Sequence, residues 1–150
     1  MTLKILIAED NPGTAEIYKR ILESENYTVV VTDNGEDCIR VFDQELHEKG
    51  VIRETYPSTG ASCATGPFDL VVLDYHMPLK DGIDVARHIL SKTPSQRILL
   101  ASAYPKQIVT ASAQGLPRSV ELMLKPFDLD RFAAVVGGRE RVEVIECCHR

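Results

Sequence analysis

Polar side chains that could carry out chemistry follow short apolar runs at four places in the chain. Glu9 and Asp10 follow the first run, and Asp74 follows the third. Ser102 and Lys125 close the fourth and fifth runs. If these runs are strands of a parallel sheet, their carboxyl ends lie on one edge, which is where ligands of such sheets bind. We therefore expect three carboxylates, one hydroxyl and one ammonium group to converge there.

This set of side chains is repulsive without a counterion. Two carboxylates about 4 Å apart repel by roughly 4 kcal/mol at an effective dielectric constant of about 20, and Lys125 supplies only one compensating charge. Mg²⁺ prefers oxygen ligands and suits a site of few carboxylates that leaves room for water and phosphate oxygens. With Mg²⁺ bound, one carboxylate could attack a phosphoryl group, while Lys125 neutralises the phosphoryl oxygens and Ser102 donates a hydrogen bond. Each residue alone is more often a helix cap or a surface charge, so the prediction depends on their joint occurrence.

The apolar runs themselves have the character of buried parallel strands. They lie at residues 3–8, 28–32, 70–73, 98–101 and 120–124. Most lack alternation of apolar and polar residues, as expected for strands that are covered on both faces. Helical patterns separate them: the first begins after Asn11-Pro12, and the fifth follows Asp128 and ends at Gly137-Gly138. Five repeats of strand and helix predict an α/β fold, a three-layer, doubly wound sheet of five parallel strands.

Two stretches do not fit the alternation. Residues 50–67, rich in Gly, Ser, Thr and Pro, separate the second helix from the third strand and are interpreted as an insertion. We expect this insertion to lie at the amino edge of the sheet, away from the chemistry. Residues 139–150 form a weakly strand-like tail that is too short for an output domain. The sequence therefore predicts one domain over residues 1–138, followed by the tail.

The amino-acid composition argues against several classes of protein. The 150 residues are 44% apolar and 26% charged, as in a globular domain, and the net charge of −5 argues against a general nucleic-acid binder. There is no apolar run of membrane-spanning length and no signal-like amino terminus, so we expect a cytoplasmic protein without a membrane partner. Cysteines 38, 63, 147 and 148 have no CxxC spacing and are expected to be free thiols, and the Cys147-Cys148-His149 stretch is disfavoured as a metal site.

Four segments of the sequence match the pattern of a known family. They are ILIAEDN at 5–11, LVVLDYHMP at 70–78 with DG at 81–82, LASA at 100–103, and LKPF at 124–127. On these segments the chain resembles the receiver domains of response regulators, the phosphorylation-switched part of two-component signalling (CheY-like). The resemblance covers nearly the whole chain apart from the insertion and the tail. It implies the flavodoxin-like strand order 2-1-3-4-5, which agrees with the fold class expected from the residues.

The resemblance also implies a metal site and a phosphoacceptor. Asp74 would accept the phosphoryl group and contact Mg²⁺. Asp10 would be a direct Mg²⁺ ligand, and Glu9 a second acidic ligand that acts directly or through water. His76 would offer its backbone carbonyl to the metal.

The remaining implied roles concern the switch. Ser102 would be the switch hydroxyl and Lys125 the ammonium group that pairs with the phosphate, with a cis bond between Lys125 and Pro126. Leu122 stands where the family commonly has a rotating Tyr or Phe, so we expect switching to depend on Ser102 more than on Leu122. Tyr104 falls where the family tunes access to the phosphoaspartate, and it could equally be a packing residue.

The sequence thus predicts a single-domain receiver that takes a phosphoryl group onto Asp74 from a sensor histidine kinase or a phosphotransfer protein. It would signal by contact with a downstream protein, without direct nucleic-acid binding. We expect no enzyme activity beyond its own phosphotransfer and autodephosphorylation. Two alternatives remain: an adaptor that is not phosphorylated, which would have little need of so repulsive a cluster, and an Asp-dependent Mg²⁺ phosphatase of the haloacid-dehalogenase type. The phosphatase would require a second Asp two residues after the first, where this chain has His76.

Overall fold

Strands and helices alternate along the chain. The computed structural model describes residues 2–55 and 66–146, with only the backbone described for 49–55. The elements are β1 (Lys4–Ala8), α1 (Pro12–Glu23), β2 (Thr28–Thr32), α2 (Gly35–Thr55), β3 (Leu70–Asp74), α3 (Gly82–Lys92), β4 (Ile98–Ser102), α4 (Lys106–Ser112), β5 (Val120–Leu124), α5 (Leu129–Val136) and β6 (Glu143–Ile145). All five predicted strands and all five predicted helices are present.

The strands form one sheet with the order β2-β1-β3-β4-β5-β6. The first five strands are parallel, which confirms the predicted fold class and the order 2-1-3-4-5. The sheet gains a sixth strand from the segment predicted as a tail, because β6 pairs with β5 in the antiparallel direction. Ile145 of β6 is only 2% exposed and packs in the core beside Val120 and Leu122.

The core lies on both faces of the sheet. β3 and β4 are buried along their whole length, as their continuous apolar sequences predict. On one face, side chains of α2, α3 and α4 cover the sheet, with Phe42, Ile89 and Val109 among them. On the other face, α1 and α5 contribute side chains such as Leu22 and Phe132. The fold therefore has three layers.

Tight turns at the carboxyl edge of the sheet fix where the polar side chains lie. Asn11 caps α1, since its side chain accepts a hydrogen bond from the backbone N–H of Thr14 at 3.0 Å. Asp81 caps α3 in a reciprocal pair with Asp84. Gly82 begins α3 so close to β3 that a β-carbon there would lie 2.6 Å from the backbone oxygen of Asp74. Only short segments thus separate the strand ends from the helices.

The predicted insertion begins inside a helix. α2 continues to Thr55, so residues 50–55 of the stretch interpreted as an insertion are helical. Residues 56–65, with Cys63, lie outside the described residues, as do Cys147, Cys148 and His149. Cys38 is a buried free thiol, as predicted. Within the described ranges, no helix combines the length and the apolar character that crossing a membrane requires.

Candidate functional site

An open cavity of about 370 Å³ lies at the carboxyl edge of the sheet. Five of the six residues assigned to the metal and phosphate site from the sequence border it: Glu9, Asp10, Asp74, His76 and Lys125. The other lining residues are Asn11, Thr14, Tyr75, Ala103 and Tyr104. The predicted convergence of distant strand ends is therefore present.

Glu9 is the most deeply placed acid in the cavity. It follows β1, its backbone N–H donates to the Thr32 carbonyl at 3.0 Å, and the residue is 3% exposed. Its Oε2 accepts a hydrogen bond from the backbone N–H of Asn11 at 3.1 Å, whereas its buried Oε1 has no hydrogen-bond partner among the described residues. Burial raises the pKa of Glu9, and the negative charge of Asp74 adds to the increase.

Asp74 ends the central strand β3 and is 9% exposed. Its Oδ1 accepts a hydrogen bond from Nζ of Lys125 at 2.9 Å. Burial raises the pKa of Asp74, although the hydrogen bond and the charge of Lys125 act in the opposite direction. The group is thus a buried carboxylate that is paired with Lys125.

Lys125 follows β5 and reaches both buried acids. Its Nζ lies 3.6 Å from Oε1 of Glu9 in addition to the bond with Asp74. Burial lowers the pKa of Lys125, but the hydrogen bond and charge of Asp74 outweigh burial, so the pKa is raised overall and the ammonium form is favoured. The backbone N–H of Lys125 donates to the Ser102 carbonyl at 2.7 Å. The bond between Lys125 and Pro126 is cis, as expected.

The three acids could hold a cation. One carboxylate oxygen from each of Glu9, Asp10 and Asp74 lies within 4.8 Å of the others. Two of the three are buried while Asp10 is exposed, so a bound ion would remain open to water on one side. Oε1 of Glu9, which accepts no hydrogen bond from the described residues, is the kind of buried polar atom that a ligand satisfies. An all-oxygen set of this kind fits a hard divalent cation such as Mg²⁺.

His76 stands at the mouth of the cavity, where its side chain is exposed. Its ring stacks against Tyr104 with 6.2 Å between centroids. The role implied for its backbone carbonyl stays a prediction.

Ser102 lies at the predicted edge, but its hydroxyl group is turned toward the following loop. The residue is fully buried. Its Oγ accepts from the backbone N–H of Tyr104 at 2.8 Å and donates to the Tyr104 carbonyl at 3.0 Å. Ser102 is not among the lining residues of the cavity. In this state, therefore, the hydroxyl group fixes the loop after β4.

Two tyrosines border the site, and sequence reasoning gave neither a definite role. Tyr104 is 42% exposed and its ring lies 5.3 Å from that of Tyr75, so it both borders the cavity and packs. Tyr75 directly follows Asp74, and that adjacency was the signal that could have identified it. Asn11 and Thr14 were also missed as lining residues, because only the capping role of Asn11 was considered.

Leu122 lies on the neighbouring strand β5 and is 2% exposed. It pairs with Leu100 on one side and with Glu143 of β6 on the other. An aliphatic side chain thus occupies the position where the family resemblance implies an aromatic one.

The proteins of similar sequence are response regulators. No family model matches the chain. The chemotaxis protein CheY of Listeria monocytogenes is 28% identical over 132 residues, which are 86% of this chain and 91% of that protein. The response regulator receiver protein CpdR of Brucella abortus is 25% identical over 84% of this chain and 87% of that protein. The probable C4-dicarboxylate response regulator DctR of Bacillus subtilis is 30% identical over 85% of this chain and 48% of its own length.

Solved structures give the same fold. The response regulator TrrA of Thermotoga maritima, in complex with Mg²⁺ and beryllofluoride, superposes with a TM-score of 0.66 at 25% identity and covers 93% of this chain and 100% of that chain. The receiver domain of a sensor histidine kinase from Pseudomonas aeruginosa, with a magnesium ion in its active-site cleft, has a TM-score of 0.69 at 18% identity, with 92% and 97% covered.

Proposed function

We propose that Asp74 is the phosphoacceptor of this chain, which is a CheY-like receiver domain of a phosphoryl-accepting response regulator. The donor would be the phosphohistidine of a sensor kinase or of a phosphotransfer protein. The observation that supports the assignment is the 2.9 Å contact between Asp74 and Lys125 inside the acidic cavity.

Among the three acids, Asp74 is the one best suited to be the nucleophile. Glu9 is 3% exposed and already accepts a backbone hydrogen bond from Asn11, so an incoming phosphorus atom would reach it poorly. Asp10 is exposed, and the ammonium group of Lys125 contacts Glu9 and Asp74 instead. Asp74 combines access from the cavity with a cation beside it.

The proposed step is a displacement at phosphorus. A carboxylate oxygen of Asp74 forms a bond to the phosphorus atom, while the bond from phosphorus to the donor imidazole nitrogen breaks. The imidazole leaves with the electron pair, and the product is an acyl phosphate on Asp74. Lys125 stays protonated throughout because its pKa is raised, so its charge is available to the oxygens of the transferred group. Autodephosphorylation would be the attack of water on the same phosphorus atom, while the bond from phosphorus to the Asp74 oxygen breaks. The Asp74 carboxylate leaves with the electron pair, and inorganic phosphate is released.

Mg²⁺ is the proposed cofactor. Glu9, Asp10 and Asp74 would hold it, together with the backbone carbonyl of His76. When bound, Mg²⁺ would neutralise negative charge on the transferred phosphoryl group. The repulsion among the three carboxylates makes the site dependent on such a cation, since one lysine balances only one of three charges.

Signalling through protein contact is the proposed output. The relatives CheY and CpdR match this chain over most of their own length. By contrast, the cell cycle transcriptional regulator CtrA of Caulobacter vibrioides is matched over only 48% of its length, so CheY and CpdR are the better guides to the output. The net charge of −5 favours a protein partner over the phosphate backbone of a nucleic acid.

The test is phosphorylation by acetyl phosphate, followed by intact mass measurement. The wild-type chain should gain one phosphoryl group in the presence of Mg²⁺ and none after EDTA treatment. Asp74→Asn keeps the shape of the side chain but removes the nucleophile, so this variant should remain unlabelled. Asp128→Asn, at an acid in the N-cap position of α5 that does not line the cavity, is the matched control and should label normally. Labelling that survives in Asp74→Asn, or that ignores EDTA, would overturn the proposal.

A further inference from the structure

Helix α4 is weakly anchored by its own sequence. It has seven residues, its N-cap residue is Pro105 with no side-chain hydrogen bond, and only Val109 within it is buried. A helix this short is marginal without tertiary contacts. Its position in the protein therefore depends on the few side chains that hold its ends.

Tyr75 is one of those side chains, and it adjoins the phosphoacceptor. The hydroxyl groups of Tyr75 and Ser112, the last residue of α4, lie 2.6 Å apart. Oγ of Ser112 also lies 3.3 Å from the Ile108 carbonyl. If Ser112 donates to Ile108, Tyr75 donates to Ser112, and both hydroxyl hydrogens are used.

The backbone of Tyr75 is fixed to the centre of the sheet. Its N–H donates to the Ala101 carbonyl at 2.8 Å, and its carbonyl accepts from Gly82 at 2.9 Å. The residue is 9% exposed. A long, nearly buried side chain on a fixed backbone responds mainly to what packs against its ring.

Tyr104 packs against that ring and is itself held by Ser102. The two tyrosine rings are 5.3 Å apart at an interplanar angle of 58°. The hydroxyl group of Ser102 binds both the N–H and the carbonyl of Tyr104. A continuous series of contacts therefore runs from Ser102 through Tyr104 and Tyr75 to Ser112.

We propose that Tyr75 is a positioning residue that couples the state of Asp74 to helix α4 through its hydrogen bond with Ser112. This inference rests on the proposed phosphorylation of Asp74. The hydroxyl group of Ser102 has one hydrogen, so it cannot donate to a phosphoryl oxygen and to the Tyr104 carbonyl at once. Donation to the phosphoryl group breaks the bond to the Tyr104 carbonyl, so the packing of Tyr104 on the Tyr75 ring changes, and the bond to Ser112 changes with it.

The contacts through Tyr75 provide a connection from the site to α4 that Leu122 cannot provide. An aliphatic residue that is 2% exposed has no polar end with which to report the state of the site. Tyr75 has such an end and directly follows Asp74, just beyond the carboxyl end of β3. The coupling thus reaches the carboxyl end of α4 without an aromatic residue on β5.

A second anchor of α4 provides an internal control. Arg87 of α3 donates to the carbonyls of Gln114 at 3.2 Å and Ser112 at 3.5 Å. Arg87 makes no contact with the cavity residues among the described hydrogen bonds and ion pairs. It should hold the end of α4 whether or not the site is occupied.

Hydrogen exchange of α4 in the full chain, with and without Mg²⁺ and beryllofluoride, tests the inference. In the wild type, binding should change the protection of residues 106–112. Tyr75→Phe keeps the ring and removes the donor, and the binding-induced change in protection should be about fivefold smaller, the effect of one hydrogen bond on a local equilibrium. Ser112→Ala should behave like Tyr75→Phe, and Ser112→Thr, which keeps a hydroxyl group, should restore the response. Arg87→Gln should lower protection in both states and leave the change itself intact.

The affinity for beryllofluoride, measured by calorimetry on the same samples, distinguishes a failure of the coupling through Tyr75 from a failure of the phosphoacceptor assignment. Binding that is unchanged in Tyr75→Phe, together with a diminished response of α4, supports the coupling. Unchanged binding with a full response of α4 in Tyr75→Phe would overturn the coupling and leave the phosphoacceptor assignment standing. A wild-type chain that binds no beryllofluoride in Mg²⁺ would overturn the proposed function and the coupling with it.

Discussion

The ammonium group of Lys125 donates a hydrogen bond of 2.9 Å to Oδ1 of Asp74 across 51 positions of sequence. The same group lies 3.6 Å from an oxygen of Glu9 to which no group in the described part of the chain donates a hydrogen bond. One cation thus serves two buried carboxylates. The negative charge of Glu9 is therefore only partly neutralised, and the positive charge lies beside Asp74, where a transferred phosphoryl group would lie.

Removal of the Lys125 charge should impair phosphorylation without removing the metal. In Lys125→Ala, Asp74 loses its hydrogen-bond donor, while the three carboxylates keep their oxygens for the metal. We expect labelling by acetyl phosphate to slow by about 100-fold and the Mg²⁺ affinity measured by calorimetry to stay the same or increase. Lys106→Ala, which breaks an exposed ion pair with Glu143, is the control and should label at the wild-type rate. Wild-type labelling in Lys125→Ala would contradict the assigned role.

Replacement of Glu9 by Gln should stabilise the metal-free protein. Burial and the charge of Asp74 raise the pKa of Glu9 above its usual 4.5. The wild-type carboxyl group therefore supports folding fully below pH 4.5, and this support is lost as the pH rises through the raised pKa. Glu9→Gln has no such loss, so its free energy of unfolding near neutral pH should exceed that of the wild type.

The stability difference between Glu9→Gln and the wild type should depend on both pH and Mg²⁺. The stability difference between Glu9→Gln and the wild type should be small below pH 4.5 and grow above it. Mg²⁺ should stabilise the wild type more than the variant and so reduce the difference. Thermal unfolding monitored by circular dichroism measures both effects. Glu16→Gln, at an exposed acid that is bonded to Arg20, should not stabilise the protein. If Glu9→Gln were less stable than the wild type without metal, the repulsion argument would be wrong.

Switching should depend on Ser102 more than on Leu122. Ser102→Ala removes both hydrogen bonds to the backbone of Tyr104, so residues 103–106 should exchange faster and stop responding to beryllofluoride. Leu122→Ala opens a cavity in the core and should cost about 2–5 kcal/mol of stability, but the loop should still respond. Hydrogen exchange and thermal unfolding of both variants distinguish the effects. A loop that responds in Ser102→Ala and fails to respond in Leu122→Ala would reverse this order.

Residues 56–65 should be dispensable for the chemistry. The segment connects α2 to β3, and helix-to-strand connections of a parallel sheet emerge at the edge opposite the carboxyl ends of the strands. Replacement of these ten positions by a Gly/Ser linker of equal length should leave the rate and extent of labelling by acetyl phosphate unchanged. Loss of labelling in a variant that still unfolds cooperatively would place the segment near the site.

The sequence by itself determined the parallel sheet and the convergence of Glu9, Asp10, Asp74 and Lys125. These follow from local signals, since apolar runs specify buried strands, and parallel strands necessarily bring their carboxyl ends to one edge. The helix start at Asn11-Pro12 was readable for the same reason, because a cap and a following proline act within one turn.

Only the tertiary structure decided the direction of the Ser102 hydroxyl group, the addition of β6 to the sheet, and the bond between Tyr75 and Ser112. A buried hydroxyl group can turn toward a ligand or toward its own loop, and the choice depends on packing that local sequence does not encode. β6 has three residues, too few for a clear periodic pattern, and it exists because the edge of β5 provides hydrogen-bond partners and a place for Ile145 in the core. The contact between Tyr75 and Ser112 spans 37 positions and depends on how α4 lies against the sheet, which is a result of packing of the whole domain.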